Sequence, residues 1–227
     1  NPYVLCIQGV DLSFSRADAV AAKSDIPADS ECRIKAGITY ILRQNADQGH
    51  TCLPLDSLVK TAVSYLDVDE KLIKKVIEDE TEEENLYYYD KHGRRFVMLA
   101  DFYKAEDYIA RRLAIMRQIS YDNKIDFSEV IDLEEENNGI QYEKIQREAI
   151  NLALSKGFLV LTGGPGTGKT TTLNAIISLY QQQGLNVMIC APTGRAAKRL
   201  SDLTGFDAKT IHRLLEVKHT SGDTLAL

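Results

Sequence analysis

The chain has 227 residues, enough for one large domain or two small ones at roughly 100 to 200 residues each. Hydrophobic residues make up 44% and charged residues 26%, which excludes a chain disordered throughout and a fibrous repeat. The net charge is −6 but uneven. Residues 120–138 hold seven acids and one base, whereas residues 139–227 hold 10 bases and 6 acids, so an acidic total leaves room for a polyanionic partner.

The first residues carry an expected short helix from Arg16 to Lys23. Within Cys6 to Ala22, Gly9-Val10 followed by Ala17 to Ala21 resembles a helix-hairpin-helix, whose glycine hairpin brings backbone amides to a DNA phosphate. Asp11 stands where the second glycine usually lies, and a carboxylate there would repel phosphate. A second helix is predicted from Cys32 to Gln48, stopped by Gly49. A third follows Pro54 to Leu66, and a fourth follows Asp67 or Asp69 with Leu72, Ile73, Val76 and Ile77 at helical spacing. Leu86 to Tyr89 and Arg94 to Leu99 flank a Gly93 turn and read as a hairpin. Helices followed by a hairpin resemble a winged helix, which can present a helix to duplex DNA. A small helical adapter is the alternative. A long helix is predicted from Asp101 to Gln118, with Phe102, Ala105, Ile109, Leu113 and Met116 on one face.

The acidic stretch 120–138 reads as a linker. Beyond it the order becomes helix, strand, glycine loop, helix, strand, loop, helix, the pattern of a parallel sheet flanked by helices. Phe158 to Leu161 reads as a strand buried on both faces. Gly163-Gly164-Pro165-Gly166-Thr167-Gly168-Lys169-Thr170 then fits the phosphate-loop pattern G-x-x-x-x-G-K-[ST]. Its glycines let successive N–H groups face one hollow, at the positive end of a helix that begins at Thr171. Lys169 is placed to reach the β- and γ-phosphates of ATP, and the Thr170 hydroxyl to ligate Mg²⁺. Gln146, on the preceding helix, is a candidate adenine reader through its amide.

A second strand, Leu185 to Cys190, leads into Ala191-Pro192-Thr193-Gly194-Arg195, followed by Lys198 and Arg199. A hydroxyl, a flexible glycine and cations at a strand's carboxyl end suit a nucleic-acid backbone. Thr210-Ile211-His212-Arg213 opens a further helix with phosphate-compatible groups. A basic surface helix and a structural histidine are the plain alternatives.

The run "LTGGPGTGKTTT", then "APTGRAAKRL", then "TIHRLL", resembles superfamily 1 DNA helicases of the RecD/TraA type (the exodeoxyribonuclease V alpha-subunit family). It is closest to the longer RecD-like proteins with an extra N-terminal region. "GHTCLP" and the segment around Ala105-Glu106 are similar to that region. The resemblance implies an α/β P-loop NTPase of RecA-like sheet, incomplete here, preceded by a mainly helical domain with helix-hairpin-helix and winged-helix-like features. Domain bounds read as 1–119, an acidic linker 120–138 and a motor part 139–227. It implies an ATP- and Mg²⁺-dependent helicase moving 5′-to-3′ on single-stranded DNA and opening duplex DNA. Gln146 and Gly163 through Thr171 would hold nucleotide, and Thr193, Gly194, Arg195, His212 and Arg213 would touch the strand. A protein partner at the N-terminal domain is compatible with this.

The acidic motif that completes such a Mg²⁺ site lies, in that family, downstream of the threonine-histidine segment, and none follows an apolar strand here. With its Asn1-Pro2-Tyr3 start, the sequence reads as part of a larger helicase that binds nucleotide and turns over little or none alone. A transporter ATPase or small-molecule kinase shares the phosphate loop, and a DNA- or partner-binding module on a vestigial P-loop fold is the runner-up. Apolar runs far shorter than the ~20 residues of a membrane helix argue against a membrane role. Cys6, Cys32, Cys52 and Cys190 form no CxxC pair, which points to reduced thiols in a cytoplasmic protein.

Overall fold

The computed structural model describes residues 1–7, 13–119, 127–219 and 225–226. The chain forms two compact units, Asn1–Ile109 with His219–Leu225, and Ala110–Lys218 with Ala226–Leu227. The hairpin glycine and Asp11 of the helix-hairpin-helix lie outside the described residues.

In the first unit, α1 (Val4–Ile7), α2 (Phe14–Ala21) and α3 (Glu31–Asp47) are followed by β1 (Cys52–Pro54), α4 (Leu55–Leu66), α5 (Glu70–Glu82), β2 (Leu86–Lys91) and β3 (Arg94–Leu99). Asp69 starts α5 by accepting the Lys71 N–H at 2.8 Å. His92 and Gly93, with φ of 50° and 72°, make the two-residue turn that joins β2 to β3. The three strands are antiparallel in the order β1-β3-β2. Ile34, Ile38, Leu58, Ile73, Ile77 and Val97 are fully buried, so α3, α4, α5 and one sheet face share a core.

One polar cluster pins this unit. Arg33 on α3 donates to both carboxylate oxygens of Asp18, at 2.8 and 3.1 Å, and to the Leu66 carbonyl at 2.9 Å. Tyr3 donates its hydroxyl to Asp18 at 2.5 Å. The Arg33 hydrogen bond holds the Asp18 carboxyl below its usual range, and burial pushes the Tyr3 phenol up. A depressed carboxyl contributes stability above its unfolded pKa and loses it as pH falls through the lower folded value. Thermal midpoints measured on the acid side should therefore fall more steeply in wild type than in Asp18→Asn. Parallel acid profiles would contradict this role.

The long helix α6 (Ala100–Gln118) forms as expected, and none of its residues is buried. Phe102 packs partly against the first core, but Ala105 is exposed and Ile109 is 54% exposed. The unit boundary falls within this helix, after Ile109, so no single core covers its apolar stripe.

In the second unit, the expected linker is helical from Ser128 to Asn138 (α7), and Phe127 and Ile131 join a core with Ile150, Leu154, Ile176 and Leu179. Its acids are used as anchors. Asp132 and Glu135 accept from Arg147 at 2.5 and 2.7 Å, and buried Glu134 accepts from Gln182 at 2.7 Å. α8 (Lys144–Ser155) and α9 (Lys169–Gln182) complete this core, and the Tyr180 hydroxyl donates to the Ala153 carbonyl. β4 (Ile189–Ala191), α10 (Gly194–Thr204), β5 (Ala208–Thr210) and α11 (Ile211–Leu214) follow, with β4 and β5 parallel. β6 (Lys218–His219) and β7 (Leu225–Ala226) are two residues each.

The buried strand expected at Phe158 to Leu161 is not formed. Leu159 reaches the core, but Val160 is 66% exposed, because among the described residues no strand pairs with this run. The second strand is likewise shorter than expected, three residues instead of six, and Met188 ahead of it is exposed. Among the described residues no helix is long and apolar enough to cross a membrane.

Candidate functional site

The glycine loop sits between α8 and α9. Gly166 and Gly168 adopt φ of 76° and 75°, the left-handed region that a Cβ disfavours. Gly163 through Thr167 are exposed, and Lys169, Thr170 and Thr171 form the half-buried first turn of α9. Gly168 is the N-cap and has no side chain, so the first amides of α9 meet no side-chain acceptor. Such a terminus suits an anion. The loop is braced from within: Thr167 Oγ1 donates to the Gly164 carbonyl at 2.9 Å, and Thr172 Oγ1 to the Gly168 carbonyl at 3.1 Å.

Lys169 folds back on its own loop. Its Nζ donates to the Gly163 carbonyl at 2.7 Å, to the Gly164 carbonyl, and to Thr167 Oγ1 at 3.3 Å. These are neutral acceptors, and a phosphate oxygen would compete for the same ammonium with a full charge.

Gln146 lies at the foot of the loop. Its Oε1 accepts from the Glu143 N–H at 2.9 Å in a capping box that starts α8. A Cβ on Gly168 would stand 2.1 Å from its Nε2. The amide thus touches the loop, while its carbonyl oxygen is already engaged by backbone.

The second group of candidate residues gathers at the carboxyl ends of β4 and β5. Their parallel register sets Ala191 beside Thr210, so the turns to α10 and α11 leave the sheet side by side. Each turn is closed by a threonine: Thr193 Oγ1 accepts from the Ala196 N–H and Thr210 Oγ1 from the Arg213 N–H, both at 3.2 Å. Thr193 is therefore a helix cap, a role visible in the sequence as threonine ahead of a helix. Gly194 and Arg195 open α10, and Arg195, Lys198, Arg199, His212 and Arg213 are all exposed. The Ala208 N–H donates to Ser201 Oγ at 2.9 Å, fixing α10 against β5. Sequence reasoning missed the acidic anchors on α7. Their signal was the i, i+3 spacing of Asp132 and Glu135, which places both on one helix face.

A glycine loop closing on a Lys-Thr helix start, in the unit that also holds a parallel strand pair, is consistent with the P-loop NTPase class. Residues 1–52 match the family described as "ATP-dependent RecD2 DNA helicase HHH domain", and residues 146–226 match "AAA domain". The ATP-dependent RecD2 DNA helicase of Deinococcus radiodurans is 29% identical over 214 residues, covering 90% of this chain and 30% of that protein. The RecBCD enzyme subunit RecD of Mycolicibacterium smegmatis is 42% identical over 93 residues, 31% of this chain and 17% of the relative. The DNA-binding protein SMUBP-2 of Mus musculus is 43% identical over 70 residues, 30% of this chain and 7% of the relative. The chain is thus similar to RecD-type helicases over both its N-terminal and its glycine-loop regions. It spans less than a third of the length of these relatives.

Proposed function

We propose that this chain is part of an ATP-driven DNA helicase, in which nucleotide bound at the glycine loop drives movement along single-stranded DNA in the 5′-to-3′ direction. The observation that carries this is the shared edge. The parallel register of β4 and β5 brings Thr193 to Arg195 and His212 to Arg213 to one end of the sheet, in the unit that holds the phosphate loop. The Deinococcus relative is named a DNA helicase and the mouse relative a DNA-binding protein, which supports the same reading.

The loop residues fit a triphosphate. Gly164, Gly166, Thr167 and Gly168 supply backbone amides around Gly163 and Pro165, which shape the loop, Lys169 balances charge on the outer phosphates, and Thr171 extends the amide series into α9. Thr170 would hold Mg²⁺, which lends charge neutralisation to the phosphates when bound. Gln146 would meet adenine by turning its amide from Glu143 to the base edge. Arg195, His212 and Arg213 carry the charged or hydrogen-bonding groups for the strand, while Thr193 and Gly194 shape the turn that presents them. The chain alone should bind nucleotide and turn over little, since no acidic pair after an apolar strand completes the magnesium site. Domain bounds of 1–119 and 139–227, with α7 anchored to the second part, and a protein partner at the first part complete this reading.

Arg195→Ala in the full-length protein should weaken single-strand binding and lower the slope of log K against log salt by about 0.7, one phosphate contact's worth. An unchanged slope in a salt titration would remove Arg195 from the strand path.

A further inference from the structure

The first unit holds exposed basic side chains that the motor reading does not use. Residues 31–99 run helix, strand, helix, helix, strand, strand, with the antiparallel order β1-β3-β2. α4 ends at Leu66 and α5 begins at Glu70, so Asp67, Val68 and Asp69 form the turn. Two helices joined by a turn of about 3 residues are the helix-turn-helix arrangement, whose second helix meets DNA with its N-terminal residues. Asp67 takes φ of 54° and Val68 is buried, which fixes the turn in the core.

The charges on α5 are divided along its length. Ile73, Val76 and Ile77 face the core. In the first half Lys71, Lys74 and Lys75 are exposed, with Lys74 paired to Glu70 at 2.7 Å. In the second half the exposed charges are acidic, Glu78 and Glu82. Asp69 and Glu70 are exposed at the helix start and Glu70 pairs with Lys74, so Lys71 and Lys75 are the cations this half offers a polyanion, while the second half repels it. The β2–β3 hairpin adds a second basic point: Lys91, His92 and Arg94 are exposed around the tight turn. Behind the tip, Arg95 donates to both oxygens of Asp90 at 3.0 and 3.2 Å and lies 4.9 Å from the Tyr88 ring centre, which stiffens the hairpin.

We propose that residues 31–99 form a winged helix that holds duplex DNA by its phosphates, through Lys71 and Lys75 on α5 and Lys91 and Arg94 on the hairpin. Duplex is favoured over single strand because a helix with a groove-facing N-terminal half and a flanking hairpin reach two separated backbone stretches. α5 and both hairpin strands lie outside the helix-hairpin-helix match at residues 1–52, and the grip needs no nucleotide.

The test uses the whole chain, a blunt duplex and a single strand of the same length, without nucleotide, read by fluorescence anisotropy over a salt series. Lys71→Ala with Lys75→Ala, and separately Lys91→Ala with Arg94→Ala, should each weaken duplex binding about tenfold and lower the duplex salt slope by about 1.8. Single-strand affinity, set by the second unit, should stay at the wild-type value in both. Unchanged duplex binding in either pair, or an equal loss on the single strand, overturns the proposal. Lys91→Arg with Arg94→Lys keeps the readout available if an alanine pair fails to fold. Wild-type duplex affinity in that swap supports a phosphate grip, and its loss overturns it. Because nucleotide is absent throughout, failure here leaves the phosphate-loop reading standing.

Discussion

Lys169→Ala in the full-length protein is expected to lower DNA-stimulated ATP hydrolysis by at least about 100-fold, the scale of removing a charge that meets a developing transition state. The structure gives the reason. Lys169 Nζ donates to the carbonyls of Gly163 and Gly164, so its ammonium already lies within the loop and moves only a short way to meet phosphate. The alanine variant loses that charge and keeps the backbone, because the positive φ of Gly166 and Gly168 and the Thr167 and Thr172 hydroxyl bonds hold the loop without it. Nucleotide affinity should therefore fall less than turnover does. Steady-state hydrolysis with saturating single-stranded DNA checks this, and near-normal turnover would contradict the role given to Lys169.

The next largest effect is expected at Gly168. Its φ of 75° costs a residue with a Cβ about 1–2 kcal/mol, and the added carbon would stand 2.1 Å from Gln146 Nε2. Relief requires Gln146 to swing away, which also breaks its bond to the Glu143 N–H and the start of α8. Gly168→Ala should lose at least about tenfold in nucleotide affinity, since the first-turn amides shift with the loop. Gly184 is the matched control: its φ is 73°, but a Cβ there meets nothing within 4 Å. Gly184→Ala should lower the thermal midpoint and leave nucleotide affinity unchanged. Equal affinities in the two variants, measured by calorimetry, would show that the loop tolerates a side chain at Gly168.

What could be read from the sequence was set by local chemistry. Asp69 ahead of an apolar helical pattern, Gly49 and Gly184 after one, and His92-Gly93 between β-prone runs each mark a boundary that nearby backbone enforces. The phosphate loop was legible for the same reason: its pattern is a backbone requirement written in glycines. What escaped depends on distant partners. β1 is three residues ending in a proline, and only its pairing with Phe96 to Met98 of β3 makes it a strand. The acidic stretch looks solvated until Arg147 and Gln182 arrive from α8 and α9 to meet Asp132, Glu135 and Glu134. Phe158 to Leu161 is as apolar as a buried strand, but strand formation belongs to the ladder, and no neighbour pairs with it among the described residues. The adenine assignment of Gln146 rested on residue type, whereas its position against Gly168 depends on how α8 packs on α9.

The central claim is that the glycine loop and the strand edge at Ala191 and Thr210 act as one device. The most direct measurement is the affinity of the full-length protein for single-stranded DNA with and without a non-hydrolysable ATP analogue. Coupled sites require nucleotide to change that affinity by about 5-fold or more, with Lys169→Ala abolishing the change. Identical affinities in the two states, with analogue shown to be bound, would contradict it.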